Sequence, residues 1–191
     1  MQMGTKIQSD RRAHRHWIHH AFVLVTVRLF LIGLCDAQQL SHAIVPAPRV
    51  PDSLEELRIM LVRTSCFGYC PVYSLEISGD GTVSYEGEAF VKVRGGRKGR
   101  IATADVQKLT KYFAKAGYFS LQNSHGIPGY DDASSMISIR WPGFEKTVWH
   151  HQDGSVKVPS QLLLLQKLID VIANSFQWVG SETDRMADSR T

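Results

Sequence analysis

The chain has 191 residues, 43% of them apolar and 21% charged, with three cysteines and a formal net charge of +4. That length suits one domain with a sizeable core, and the apolar content excludes a wholly disordered chain. The excess charge sits at the front: residues 1–37 hold Lys6, Arg11, Arg12, Arg15 and Arg28 against Asp10 and Asp36, and the remainder has 17 bases against 16 acids, so the basic character is no nucleic-acid footprint.

Residues 1–37 have the order of a secretory signal. A basic leader precedes an apolar run over 21–34, broken by Arg28, and Cys35-Asp36-Ala37 places a small residue before Gln38. The run is shorter than the ~20 apolar residues of a membrane span. Arg28 at its middle would cost about 2.5 kcal/mol or more in lipid. Three other readings stay open. Ser41-His42-Ala43 offers a second cut. Cys35, after Leu31-Ile32-Gly33-Leu34, offers a lipid-bearing cysteine. Arg11-Arg12 raises a twin-arginine route, which Ala13-His14-Arg15 does not extend. A mature chain from Gln38 has 154 residues, no membrane span, and a periplasmic or extracellular location.

Residues 38–53 read as a linker, because Pro46, Pro48 and Pro51 break any regular element. A single domain is expected over 54–178 and a disordered polar tail over 179–191. Residues 58–64 read as a first strand. Cys66-Phe67-Gly68-Tyr69-Cys70-Pro71 then forms a corner. After export removes Cys35, Cys66 and Cys70 are an even pair, which favours a disulfide, with Gly68 supplying the bend.

Tyr73, Leu75 and Ile77 alternate with polar residues, as in a half-buried strand. Gly79-Asp80-Gly81 turns the chain, and Val83 and Tyr85 continue the apolar face on the returning strand. Ala89, Val91 and Val93 predict a further strand, and residues 94–100 a glycine-rich basic loop. Thr103 reads as a helix N-cap, with Val106, Leu109, Phe113 and Ala116 on one face and Gly117 as the stop. Tyr118, Phe119 and Leu121 pack where the chain leaves that helix. After an irregular stretch over 122–132, Ile137, Ile139 and Trp141 alternate, Pro142-Gly143 turns, and 145–150 returns. Pro159 opens a second helix whose buried stripe is Leu162, Leu165, Ile169, Ile172 and Phe176. The order predicts an α+β domain: a mostly antiparallel sheet with two helices packed on one face.

Four groups of residues could carry chemistry. A Cys66/Cys70 redox pair would need a helix N-terminus to lower a thiol pKa. Three residues intervene and a strand follows, so a structural staple is the better reading. His125, Asp131, Asp132, His150 and His151 form a candidate metal or polar site. Adjacent histidines on a strand face opposite ways, so one of His150 and His151 suits a given site. No helical His pair or matched cysteine ligands support a metal centre. Asp131-Asp132 lies in a Pro/Gly loop, where aspartates form turns, and Ser134, Ser135 and Ser138 lack a nucleophile elbow. Arg94, Arg97, Lys98 and Arg100 form a candidate anion-binding loop without phosphate-loop spacing.

The stretch Arg63-Thr64-Ser65-Cys66-Phe67-Gly68-Tyr69-Cys70-Pro71-Val72-Tyr73 resembles the signature of a bacterial secreted family known as a domain of unknown function, number sixty-four thirty-eight. Gly79-Asp80-Gly81-Thr82-Val83-Ser84-Tyr85-Glu86-Gly87, Phe90-Val91-Lys92-Val93 and Ala116-Gly117-Tyr118-Phe119-Ser120-Leu121 extend the likeness over residues 58–178, and residues 122–135 match poorly. The resemblance implies an exported single domain and assigns no catalytic residue or cofactor. The layout of sheet and two helices also resembles emfourin-type inhibitors of bacterial metalloproteases, an analogy of layout alone. The function expected is therefore a non-catalytic extracytoplasmic binding module for an envelope or extracellular protein, inhibitor-like or otherwise. The alternative is a metal-dependent or thiol-redox periplasmic protein.

Overall fold

The computed structural model describes residues 48–129, 132–152 and 157–188. The expected signal over 1–37, most of the 38–53 linker and Asp131 lie outside the described residues. Residues 48–53 carry neither helix nor strand.

Seven strands form one sheet in the order β4-β3-β2-β1-β6-β7-β5. They are β1 (Arg58–Arg63), β2 (Val72–Ser78), β3 (Thr82–Ala89), β4 (Gly95–Arg100), β5 (Ser124–His125), β6 (Ser134–Trp141) and β7 (Phe144–His151). Every pairing is antiparallel except β5 with β7. The helices are α1 (Thr103–Lys115), α2 (Ser160–Ala173), α3 (Phe176–Val179) and α4 (Glu182–Asp188), with a 3-10 turn at Tyr118–Ser120. The protein is therefore α+β, as the residue patterns predict.

Alternation decides which face is dry. Ile59 and Leu61, Tyr73, Leu75 and Ile77, Val83 and Tyr85, Ile137 and Ile139, and Val148 lie on one side of the sheet by register. They cluster with Val106, Leu109 and Phe113 of α1 and Leu162, Leu165 and Ile169 of α2. Each such side chain contributes roughly 1.5–3 kcal/mol by leaving water. Tyr118 is fully buried, and its hydroxyl donates to the Ile137 carbonyl at 2.7 Å. Its burial pushes the phenol pKa well up.

The β2–β3 turn forms at Gly79–Gly81 as expected. Asp80 fixes it by accepting from the Thr82 N–H at 2.9 Å and the Thr82 hydroxyl at 2.8 Å. Gly117, at φ 63°, lies just past the end of α1. Thr103 is the first helical residue rather than the cap. Ala102 holds the N-cap position without a side-chain hydrogen bond.

Four expectations fail together, where residues 89–100 meet residues 176–188. Ala89 ends β3, and Val91 and Val93 do not form a further strand. The chain turns at Phe90 (φ 52°), and the Lys92 and Val93 N–H groups donate to the Val179 and Trp178 carbonyls. Their apolar spacing serves a clasp with α3. The 94–100 basic loop is instead the edge strand β4, where Gly99 makes room for Trp178: a Cβ there would sit 2.9 Å from the indole Cη2. Trp178 also stacks on Tyr85 at 5.1 Å. Residues 182–188 form α4 rather than a disordered tail, and Asp188 accepts from the Phe90 N–H (2.7 Å) and from Arg94 Nε (2.8 Å). Phe176, expected on the buried stripe, is 67% exposed. Asn174 is left-handed and ends α2, so the new turn of α3 points Trp178 and Val179 inward instead.

Candidate functional site

The C-terminal end of β1 and the start of β2 meet the second half of α2. Arg63 and Tyr73 are register partners across β1 and β2. They fall on the core-facing parity of Ile59 and Leu61, and of Leu75 and Ile77. A charged group and a phenol at that parity need partners, and α2 supplies Asp170. Arg63 Nη2 donates to Asp170 Oδ2 at 2.7 Å, and Arg63 Nε donates to the Tyr73 hydroxyl at 2.8 Å. The Tyr73 and Ser175 hydroxyls both donate to Asp170 Oδ1 at 2.7 Å. Both carboxylate oxygens are thus engaged by three donors.

Burial pushes the Tyr73 pKa well up, and the Asp170 charge adds to this more than Arg63 offsets it. For Arg63, burial works downward, but Tyr73 and Asp170 outweigh it and hold the guanidinium charged. Neither group exchanges a proton near neutral pH. The constellation is a hydrogen-bonded bracket tying sheet to helix.

Above the bracket lies a cleft of about 620 Å³. Its lining includes Cys70, Pro71, Val171, Phe176, Lys167 and Arg185. Val171 is 73% exposed, and the buried Arg185 Nε has no hydrogen-bond partner among the described residues. A hollow of about 680 Å³ at the opposite end of β1, beside Arg58, Arg140 and Trp141, is more open and lies among mixed charges.

The disulfide corner stands at the rim of the cleft. Cys66 and Cys70 are bonded, with Cα atoms 5.7 Å apart, inside the range a disulfide needs. The Gly68 N–H closes a tight turn onto the Cys66 carbonyl at 2.9 Å. Phe67 is left 90% exposed, and Tyr69 meets Phe90 edge-on at 5.7 Å. β2 follows Pro71, so the element after the pair is a strand and no helix N-terminus follows to activate either sulfur.

The structure brings two of the candidate polar residues together and separates others. His125 pairs with His150 in the β5–β7 register. His150 is buried on the helix side, where Gln166 Nε2 donates to Ser135 Oγ at 2.7 Å and both approach the His150 ring. His151 lies on the other face, stacked on Trp149 with its Nδ1 2.7 Å from Ser134 Oγ. Asp132 is exposed in its loop, and Asp131 is outside the described residues. Among the described residues, His125 Nε2 is buried without a hydrogen bond, and no three His, Cys, Asp or Glu side chains gather as a metal would need.

The basic run is divided by its strand. Arg97 shares the core-side parity of Tyr85, while Lys98 and Arg100 stand beside Ser84 and Thr82 on the other face. Arg94 is held by Asp188. Among the described residues no helix is long and apolar enough to cross a membrane.

The sequence reading missed the Arg63–Tyr73–Asp170–Ser175 bracket. The signal for its first half was present, as a charge at the core-facing position ending an alternating strand. Asp170, 107 residues beyond Arg63, carried no signal of its own. No curated protein matches the chain in sequence. Residues 57–173 match the model of a family described as a domain of unknown function, DUF6438; those residues hold all seven strands, α1, α2 and the bracket's Arg63, Tyr73 and Asp170, and the chain belongs to that family.

Proposed function

We propose that this protein is an exported, non-catalytic binding module, and that the cleft over Asp170 receives a protein or other component of the cell envelope. One observation carries the reading. The Arg63, Tyr73, Asp170 and Ser175 side chains of the floor are bonded to one another, while Val171 and Phe176 at the rim stand exposed. Asp170 accepts three of the roughly four hydrogen bonds its two oxygens can take, all from side chains that hold the fold, which leaves little capacity for a general base. Covering exposed apolar side chains beside a hydrogen-bonded floor is how an interface gains energy. Lys167, exposed beside the cleft, adds positive charge for an anionic group of the partner. Inhibition of an envelope enzyme is one form such binding takes.

Export rests on the leader and on the disulfide, which persists in oxidising compartments. Mass spectrometry of the processed chain should find its N-terminus between residues 38 and 44; an intact chain starting at Met1 in the cytosol contradicts export. For binding, a partner captured from envelope extract is purified and titrated against the Phe176→Asp/Val171→Asp variant. Loss of two buried apolar groups should weaken the complex by roughly 10–100-fold or more. Equal affinity would place the interface elsewhere.

A further inference from the structure

We infer that the free edge of β4 is a docking site for an acidic, extended segment of a partner protein, which adds to the sheet as an eighth strand. The inference stands apart from the cleft, since it uses the other end of the strand order and a different kind of contact.

Among the described residues β4 is the outermost strand of its side of the sheet and pairs only with β3. Its outward groups follow from the register. The Ile101 N–H donates to the Gly81 carbonyl at 2.9 Å, directly beyond the pair Thr82↔Arg100. Hydrogen-bonded pairs alternate along an antiparallel ladder. Gly99, Arg97 and Gly95 therefore exchange bonds with Val83, Tyr85 and Gly87, while the backbone groups of Gly96, Lys98 and Arg100 turn away from the sheet. Among the described residues the outward Gly96 carbonyl accepts from the Arg97 guanidinium at 2.7 Å, and no other strand covers this edge.

The side chains choose the occupant. Gly95, Gly96 and Gly99 carry no side-chain bulk, so a neighbouring backbone can approach closely. Lys98 and Arg100 project on the face away from the core, and Arg97 on the other. Charges on an edge strand oppose pairing with a like strand. A second copy aligned β4 to β4 would set these bases against the same bases, so self-pairing is disfavoured. An incoming strand with Glu or Asp at alternate positions would instead place a carboxylate beside Lys98 and another beside Arg100, where cross-strand neighbours lie about 4.5–5.5 Å apart. Main-chain bonds supply affinity and the alternate acids supply choice of partner, as in other strand-addition complexes.

The test titrates the full chain with a capped Thr-Glu-Val-Glu-Thr-Glu peptide, and watches the Gly96, Lys98 and Arg100 amides by NMR. Binding should shift those three amides, weaken at least tenfold in Lys98→Glu/Arg100→Glu, and weaken with added salt. Lys98→Pro removes an outward N–H without touching the β3 ladder and should abolish binding. Should that variant unfold, the same question is asked from the peptide side: alternate N-methylation blocks pairing but keeps the charge, and must also abolish binding. Equal binding of parent and N-methylated peptides would overturn strand addition. So would absence of binding, or shifts confined to the cleft residues. A concentration-dependent dimer dissolved by Lys98→Pro would overturn the acidic partner in favour of a second copy.

Discussion

Replacing Asp170 with Ala removes the acceptor of three hydrogen bonds, each 2.7 Å long, from Arg63, Tyr73 and Ser175. Hydrogen bonds to a charged group contribute about 1.5–3 kcal/mol each when buried. The Asp170 and Arg63 side chains are each 22% exposed, so water recovers part of that loss. The larger cost is the Arg63 charge left without its counter-ion; breaking a buried pair from one side costs about 3–5 kcal/mol. Partial exposure brings the expectation to about 3 kcal/mol, or a melting temperature lower by roughly 6–12 °C for a domain of this size. Urea unfolding followed by circular dichroism reads it. The control is Arg63→Met/Asp170→Leu, which deletes both charges and should be the more stable of the two variants. An Asp170→Ala cost under about 0.5 kcal/mol, or a double variant no better than the single, would refute the bracket as a coupled unit.

Three further outcomes follow from the same structure. Leu165 and Ile169, at 1% and 0% exposure, should each cost about 2–5 kcal/mol on replacement by Ala in the same unfolding assay; under half a kcal/mol would mean that α2 does not close the core. Cys66→Ser/Cys70→Ser should lower stability by only about 2 kcal/mol, because the closed loop is short, and should leave partner affinity intact at low temperature; loss of binding in a folded variant would assign the pair a further role. The Arg94 hydrogen bond, with the Phe90 N–H, holds the Asp188 carboxyl below the usual carboxylate range. Its contribution is present above about pH 4 and disappears as pH falls through the depressed value. The Phe90 amide resonance should therefore move on acidification in the wild type and stay put in Asp188→Ala; identical titrations would show that α4 is not clasped there.

Much of the fold was legible because burial writes itself as period. β1, β2, β3, β6 and β7 alternate, and α1 and α2 repeat at helical spacing. β4 was illegible for a physical reason. Its three glycines and three bases bury almost nothing, so no alternation marks a strand whose place is fixed by the β3 ladder and by Trp178 packing on Gly99. α4 is polar, and three of its anchors, Asp188 to Phe90 and Arg94 and Asp184 to Ser181, are hydrogen bonds rather than an apolar stripe. Extending the α2 period past Asn174 places Phe176 inside, but the left-handed backbone of Asn174 resets that period. The disulfide could be read from two cysteines at close spacing. The bracket joins residues 107 apart, and such a meeting is decided by topology, not by local pattern.

The most direct test of the binding account is photo-crosslinking in the producing cell, with a photoreactive phenylalanine analogue at position 176 and, as the control, at position 112. Phe176 is 67% exposed at the cleft rim and Tyr112 is 41% exposed on α1. The account predicts one discrete adduct from position 176, made with the component that binds the purified chain, and none from position 112. Adducts of equal yield from both positions, or none from position 176 while the partner is bound, would contradict it.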